Sequence, residues 1–150
     1  MNKEFLNVTL LDSNVHSLIL LKKILQEHKI KIRCTDFYSD EDLSQYLNKA
    51  TYGVPDVVFI NYQDIRNTDF LLIKERIDDT RYNASIFVVY SNALEDNEIE
   101  NILISGANIF LKLNEDYTKL KKTVSEITTM IWQYQTSGLK LLHLVIELIQ

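Results

Sequence analysis

Pro55-Asp56-Val57-Val58-Phe59-Ile60-Asn61 is the stretch from which the rest of this 150-residue chain can be read. A turn-forming proline leads into four consecutive apolar β-formers, and the run stops at one amide side chain. An apolar run without alternation predicts a strand covered on both faces, as in the centre of a parallel sheet. In open sheets of that kind, ligands and chemistry gather at the carboxyl ends of the strands. Asn61 stands at that end.

Outward from this strand, the chain reads as strand and helix in alternation. Phe5 to Leu11 forms a first strand that ends at Asp12. Asn14 caps a helix reaching about His28, with Val15, Leu18, Ile19, Leu21 and Leu25 at helical apolar spacing and Lys22 the exception. Lys29 to Phe37 alternates apolar and polar residues, the pattern of a strand near a sheet edge. Ser39 opens a second helix to about Lys49, and Tyr52 to Pro55 turn into the central strand. A loop from Tyr62 to Thr68 leads to a helix over Asp69 to Asp79. Ala84 to Tyr90 is a second buried strand, with the apolar run Ile86-Phe87-Val88-Val89-Tyr90, ending at Ser91. Leu94 to Ser105 is helical and stops at Gly106, where a C-terminal cap favours glycine. Asn108 to Leu113 is the fifth strand, and Glu115 to about Tyr134 the fifth helix, with Leu120, Val124, Ile127 and Ile131 facing inward. Short strands linked by crossover helices give a doubly wound parallel α/β sandwich with helices on both faces.

Composition narrows the function classes. Hydrophobic content of 46% and charged content of 25% are those of an ordinary globular domain. A net charge of −5 gives no electrostatic basis for nucleic-acid binding. Cys34 is the one cysteine, so an intrachain disulfide is impossible. No apolar run approaches the roughly 18 residues of a membrane span, and the N-terminus lacks a signal-like apolar core. A cytoplasmic location is the expectation.

Four segments in register carry a resemblance: Val8-Thr9-Leu10-Leu11-Asp12, Pro55 to Asn61, Phe87-Val88-Val89-Tyr90-Ser91 and Gly106-Ala107-Asn108-Ile109-Phe110. Together they resemble the receiver domain of two-component response regulators, the flavodoxin-like phospho-acceptor module, over about residues 5 to 134. The resemblance implies sheet order 2-1-3-4-5. It also implies an acidic pair after strand one for magnesium, an aspartate acceptor after strand three, a hydroxyl after strand four and a lysine after strand five.

This chain departs from that set. Asp12 matches the first acidic position, but Ser13 holds the second and brings no charge to a magnesium ion. Asn61 holds the acceptor position, and an amide offers no anionic oxygen to attack phosphorus. Gln63 falls where the family coordinates metal through a backbone carbonyl. Ser91 matches the hydroxyl and Phe110 the aromatic partner of the family's switch pair. Leu113 falls on the lysine position, with Lys112 one residue early and therefore on the opposite face of a regular strand. Asp12 is thus the one carboxylate left for a metal. No cofactor is expected, and Asn61 is expected to hydrogen-bond Asp12 or Ser13 as a neutral stand-in.

The expectation is a non-enzymatic, receiver-like module that has lost phosphotransfer and works by protein-protein contact, with a sensor kinase or another two-component protein as partner. An active phospho-acceptor using Asp12, Asp64 or Ser91 is the alternative, and a small-molecule site in the same crevice a third reading. His16 reads as an exposed residue of the first helix and His28 as a cation at its end. Past residue 134, Gln135 to Gly138 breaks or kinks the helix. Leu139 to Gln150 then forms a wide apolar helix with a narrow polar stripe at Lys140, His143, Glu147 and Gln150. This extension, residues 135 to 150, is expected to form a homodimer interface or dock a partner, with fold-back onto its own domain as the alternative, rather than to bind a membrane.

Overall fold

The computed structural model describes residues 4–48, 54–65, 85–92, 95–104, 106–113 and 115–137. Their elements, in chain order, are β1 (Leu6–Leu11), α1 (Val15–Gln26), β2 (Ile32–Phe37), α2 (Asp40–Asn48), β3 (Val57–Asn61), α3 (Tyr62–Ile65), β4 (Ile86–Ser91), α4 (Asp96–Ile104), β5 (Ile109–Lys112) and α5 (Tyr117–Ser137). The strands form one parallel sheet in the order β2-β1-β3-β4-β5. The helix expected over Asp69 to Asp79 and the apolar segment Leu139 to Gln150 lie outside the described residues.

Every residue of β3 and of β4 is buried, as unalternating apolar strands require. β2 alternates between half-buried and exposed residues over its first four positions and lies at the edge of the sheet. Alternate residues of the strands feed two cores. One holds Leu10, Phe59 and Tyr90 with Leu21 and Ile24 of α1 and Val124, Ile127 and Ile131 of α5. The other holds Ile60, Val89 and Phe110 with Leu43 and Leu47 of α2 and Ile102 of α4. Asp56, at the entry to β3, accepts a hydrogen bond from the Asn7 backbone N–H at 2.8 Å, and its own N–H donates to Asn7 at 2.9 Å. Those bonds hold β3 beside β1.

Local signals set the element ends. Asn14 caps α1, its side-chain oxygen accepting from the N–H groups of His16 and Ser17. Gly106 ends α4 at φ 117°, the left-handed region where glycine alone is free of a Cβ penalty. The Gly106 and Ala107 N–H groups return to the Leu103 and Ile102 carbonyls in the crossed pattern of a Schellman cap.

Several expectations need correction. α1 turns Leu18, Leu21, Ile24 and Leu25 inward, whereas Val15 and Ile19 are 54% and 60% exposed. Val15, Ile19 and Lys22 follow one another in steps of four and three along the solvent flank, so the lysine belonged to the correct outer row. The loop expected from Tyr62 begins instead with the helical turn α3, because Asn61 accepts from the Gln63 N–H at 3.0 Å. α5 begins at Tyr117 and runs to Ser137, through Gln135 and Thr136, with Gly138 outside the described residues; Thr136 returns its hydroxyl to the Trp132 carbonyl at 2.8 Å. His28 bridges the end of α1 to α5: its Nδ1 lies 3.1 Å from the Ile30 N–H and its Nε2 3.2 Å from the Ser125 carbonyl.

Truncating the two faces of α1 separates core from flank. Leu21→Ala is expected to cost about 2–5 kcal/mol in urea unfolding, as a cavity in a filled core does. Ile19→Ala is expected to stay within about 0.5 kcal/mol of the wild type.

Candidate functional site

The carboxyl ends of β1, β3 and β4 bring Asp12, Asn61 and Ser91 to one edge of the sheet, beside the start of α1. Asp12 is 0% exposed. A buried carboxylate needs its hydration replaced by donors or a cation. Four donors surround it. Oδ1 accepts from the Asn14 N–H at 2.8 Å and from Asn61 Nδ2 at 3.0 Å. Oδ2 accepts from the Tyr90 hydroxyl at 2.7 Å and from the Ser17 hydroxyl. Two oxygens with about four lone-pair directions are thereby saturated.

The sheet register explains how the donors arrive. Asn61 and Tyr90 are direct neighbours across β3 and β4, so both side chains reach the same point beyond β1. Asn61 is fixed at its other end by the Gln63 N–H, which determines that its NH₂ faces Asp12. Ser17 comes from the first turn of α1, whose start is tied to Asp12 by the Asn14 N–H. Burial pushes the Tyr90 phenol far above its ordinary pKa, and the neighbouring Asp12 charge and hydrogen bond push it further.

Asp64 also turns toward this edge. Its Oδ2 accepts from the Ser13 N–H at 2.8 Å, so α3 folds the carboxylate back toward the start of α1. Ser13 itself is exposed. Ser91 is 2% exposed, and its hydroxyl has no hydrogen-bond partner. Phe110 is buried in the second core. Lys112 pairs with Ser91 in the β4–β5 register and is exposed, while Leu113 donates its N–H to the Ser91 carbonyl at 2.9 Å.

A crevice of about 500 Å³ remains at this edge, lined in part by Asn61, Ser91, Leu113 and Glu115. Leu113 lines it and Lys112 does not. Tyr90, Ser17 and the turned-back Asp64 are the residues that sequence reasoning did not assign to Asp12 and its neighbour. Tyrosine in an otherwise apolar buried strand was the available signal, since a buried phenol needs a partner for its hydroxyl.

The arrangement does not fit magnesium. A magnesium site wants carboxylates with open lone pairs and room for several waters. Here Asp12 is saturated, Ser13 replaces the second acid, and Asp64 is engaged by a backbone donor. Among the described residues, no group of at least three His, Cys, Asp or Glu side chains is placed to hold a metal.

Comparison with solved structures gives the fold. The chain has the receiver fold of response regulators. It superposes on the phosphorylated cyanobacterial phytochrome response regulator RcpA with TM-score 0.73 and 15% identity, over 91% of this chain and 98% of that one. A response regulator in red light signalling of R. palustris gives 0.72 and 13%, over 92% and 99%. A response regulator receiver domain from Rhodospirillum rubrum gives 0.71 and 14%, over 93% and 99%. No protein-family model matches the chain. Among the described residues, no helix is long and apolar enough to cross a membrane.

Tyr90→Phe is expected to destabilise the chain by about 1.5–3 kcal/mol, the range for a hydrogen bond to a charged group. The pH dependence has a definite sign. Unfolded, Tyr90 ionises near its ordinary pKa of about 10, while the folded chain holds the proton well above that. The contribution of Tyr90 is therefore complete below about pH 10 and declines as pH rises further. Above about pH 10, unfolding of Tyr90→Phe is expected to show a slope shallower by up to about 1.4 kcal/mol per pH unit.

Proposed function

We propose that this chain is a receiver-fold signalling module that works without phosphoryl transfer, by binding other proteins. The observation that supports the proposal most is the saturation of Asp12 by the Asn14 N–H, Asn61, Ser17 and Tyr90. Phosphoryl transfer at such an edge needs a nucleophilic carboxylate, a metal or cation to neutralise the transferred group, and positioning donors. Asn61 supplies an amide in place of the nucleophile. Asp12 is occupied by neutral donors, and the crevice side chain after β5 is Leu113.

The partner class that suits a receiver fold is another two-component protein, such as a sensor kinase, and the setting is the cytoplasm. Self-association through Leu139 to Gln150 belongs to the same proposal and is supported by that segment's apolar sequence. A second reading is favoured by one contact: Asp64 reaches Ser13, which makes it the carboxylate best placed to accept a phosphoryl group in place of Asn61. Its engagement by a backbone N–H and the lack of a lysine at position 113 weigh against it.

Incubation with acetyl phosphate and magnesium, read by intact mass, separates the two. The wild-type chain is expected to keep its unmodified mass. A stable added phosphoryl group that Asp64→Asn abolishes would establish the second reading instead.

A further inference from the structure

The crevice offers few groups to an anion. Anion binding at a helix start relies on free backbone N–H groups. Here these groups, the Val15 N–H apart, are occupied. The Ser13 N–H donates to Asp64, the Asn14 N–H to Asp12, and the His16 and Ser17 N–H groups to the Asn14 side chain. Among the described residues, no lysine or arginine lines the crevice; its titratable side chains are His16 and Glu115. Asp12 and Asp64 lie against its α1 side, through their bonds to Asn14 and Ser13. The net formal charge around the opening is negative.

A second, independent observation comes from Ser91. It lines the crevice, is 2% exposed, and has a hydroxyl with no partner in the fold. A buried hydroxyl left unpaired is costly, and a ligand that donates to it recovers that cost. An ammonium group carries three donors and no acceptor, which suits a crevice lined by the Glu115 carboxylate and an unpaired hydroxyl oxygen. Leu20, Leu113 and Leu120 form an apolar part of the lining, the surface along which a methylene chain packs while its charged head stays polar.

We propose that this crevice binds a primary alkylammonium group. The ammonium donates to Ser91 Oγ and is faced by Glu115, and its methylene stem lies on Leu20, Leu113 and Leu120. The inference rests on the reading of the domain as a non-phosphorylated binding module and gives that module a recognition chemistry. The group is either a lysine side chain presented by a partner protein or a free alkyl diamine.

Amide-resolved NMR titration of the full chain tests this with four probes: Nα-acetyl-lysine methylamide, its uncharged norleucine analogue, 1,4-diaminobutane and inorganic phosphate. The amine probes are expected to shift the Ser13, Ser91 and Leu113 amides and to saturate. Glu115→Gln and Ser91→Ala are each expected to weaken that binding about threefold, the scale of one exposed charge pair or one hydrogen bond. Tighter binding of the lysine analogue identifies a protein partner, and tighter binding of the diamine identifies the free ligand. Equal binding of the norleucine analogue, amine affinity unchanged in both variants, or saturation by phosphate at the same amides overturns the proposal. A chain that binds no amine and also takes up no phosphoryl group overturns this inference alone and leaves the proposed function standing.

Discussion

The end of β1 is governed by one constraint: a carboxylate that has left water entirely must have its hydrogen bonds replaced. An uncompensated buried charge costs several kcal/mol, enough to remove much of the stability of a small domain. Asp12 meets the requirement with neutral donors from β3, β4 and the start of α1. These donors hold the sheet edge and the first crossover helix in one arrangement. Asn61 is central to that arrangement because it donates to Asp12 and accepts the Gln63 N–H of α3.

The same side chains explain why substitutions at distant positions in the sequence fit together. An aspartate at 61 would place a second negative charge beside Asp12 and take away a donor. A second acid at 13 would sit beside Asp64, which already accepts the Ser13 N–H. Tyr90 occupies Oδ2 of Asp12, which a metal would otherwise need. Each residue is consistent with its neighbours, as a mutually supportive network should be.

Much of the fold was legible because β3 and β4 announce themselves. Val57 to Ile60 and Ile86 to Tyr90 are apolar without alternation, which a doubly covered strand requires. The Gly106 cap and the Leu120, Val124, Ile127, Ile131 row were equally direct. The inner face of α1 was less so: Val15 and Ile19 are as apolar as Leu18 and Leu21, and only packing against α5 decides between them. At the site, the positions of Asp12, Asn61 and Leu113 followed from strand ends and spacing. The parts played by Tyr90 and Ser17 did not, because they depend on cross-strand register and on a side chain five residues along from Asp12. Asp64 was visible as an acid near the crevice, but its return toward Ser13 depends on the α3 turn that Asn61 starts.

The crevice at the carboxyl ends of the strands lies beside this network. The central claim is that neutral donors, and not a metal, satisfy Asp12. Urea unfolding of the wild-type chain in EDTA and in rising magnesium tests it most directly. A ligand that binds the folded chain alone stabilises it by RT ln(1 + [L]/Kd), about 1.4 kcal/mol at ten times Kd. The account predicts the same unfolding midpoint with and without millimolar magnesium. A midpoint that climbs with magnesium and loses that climb in Asp12→Asn would contradict it.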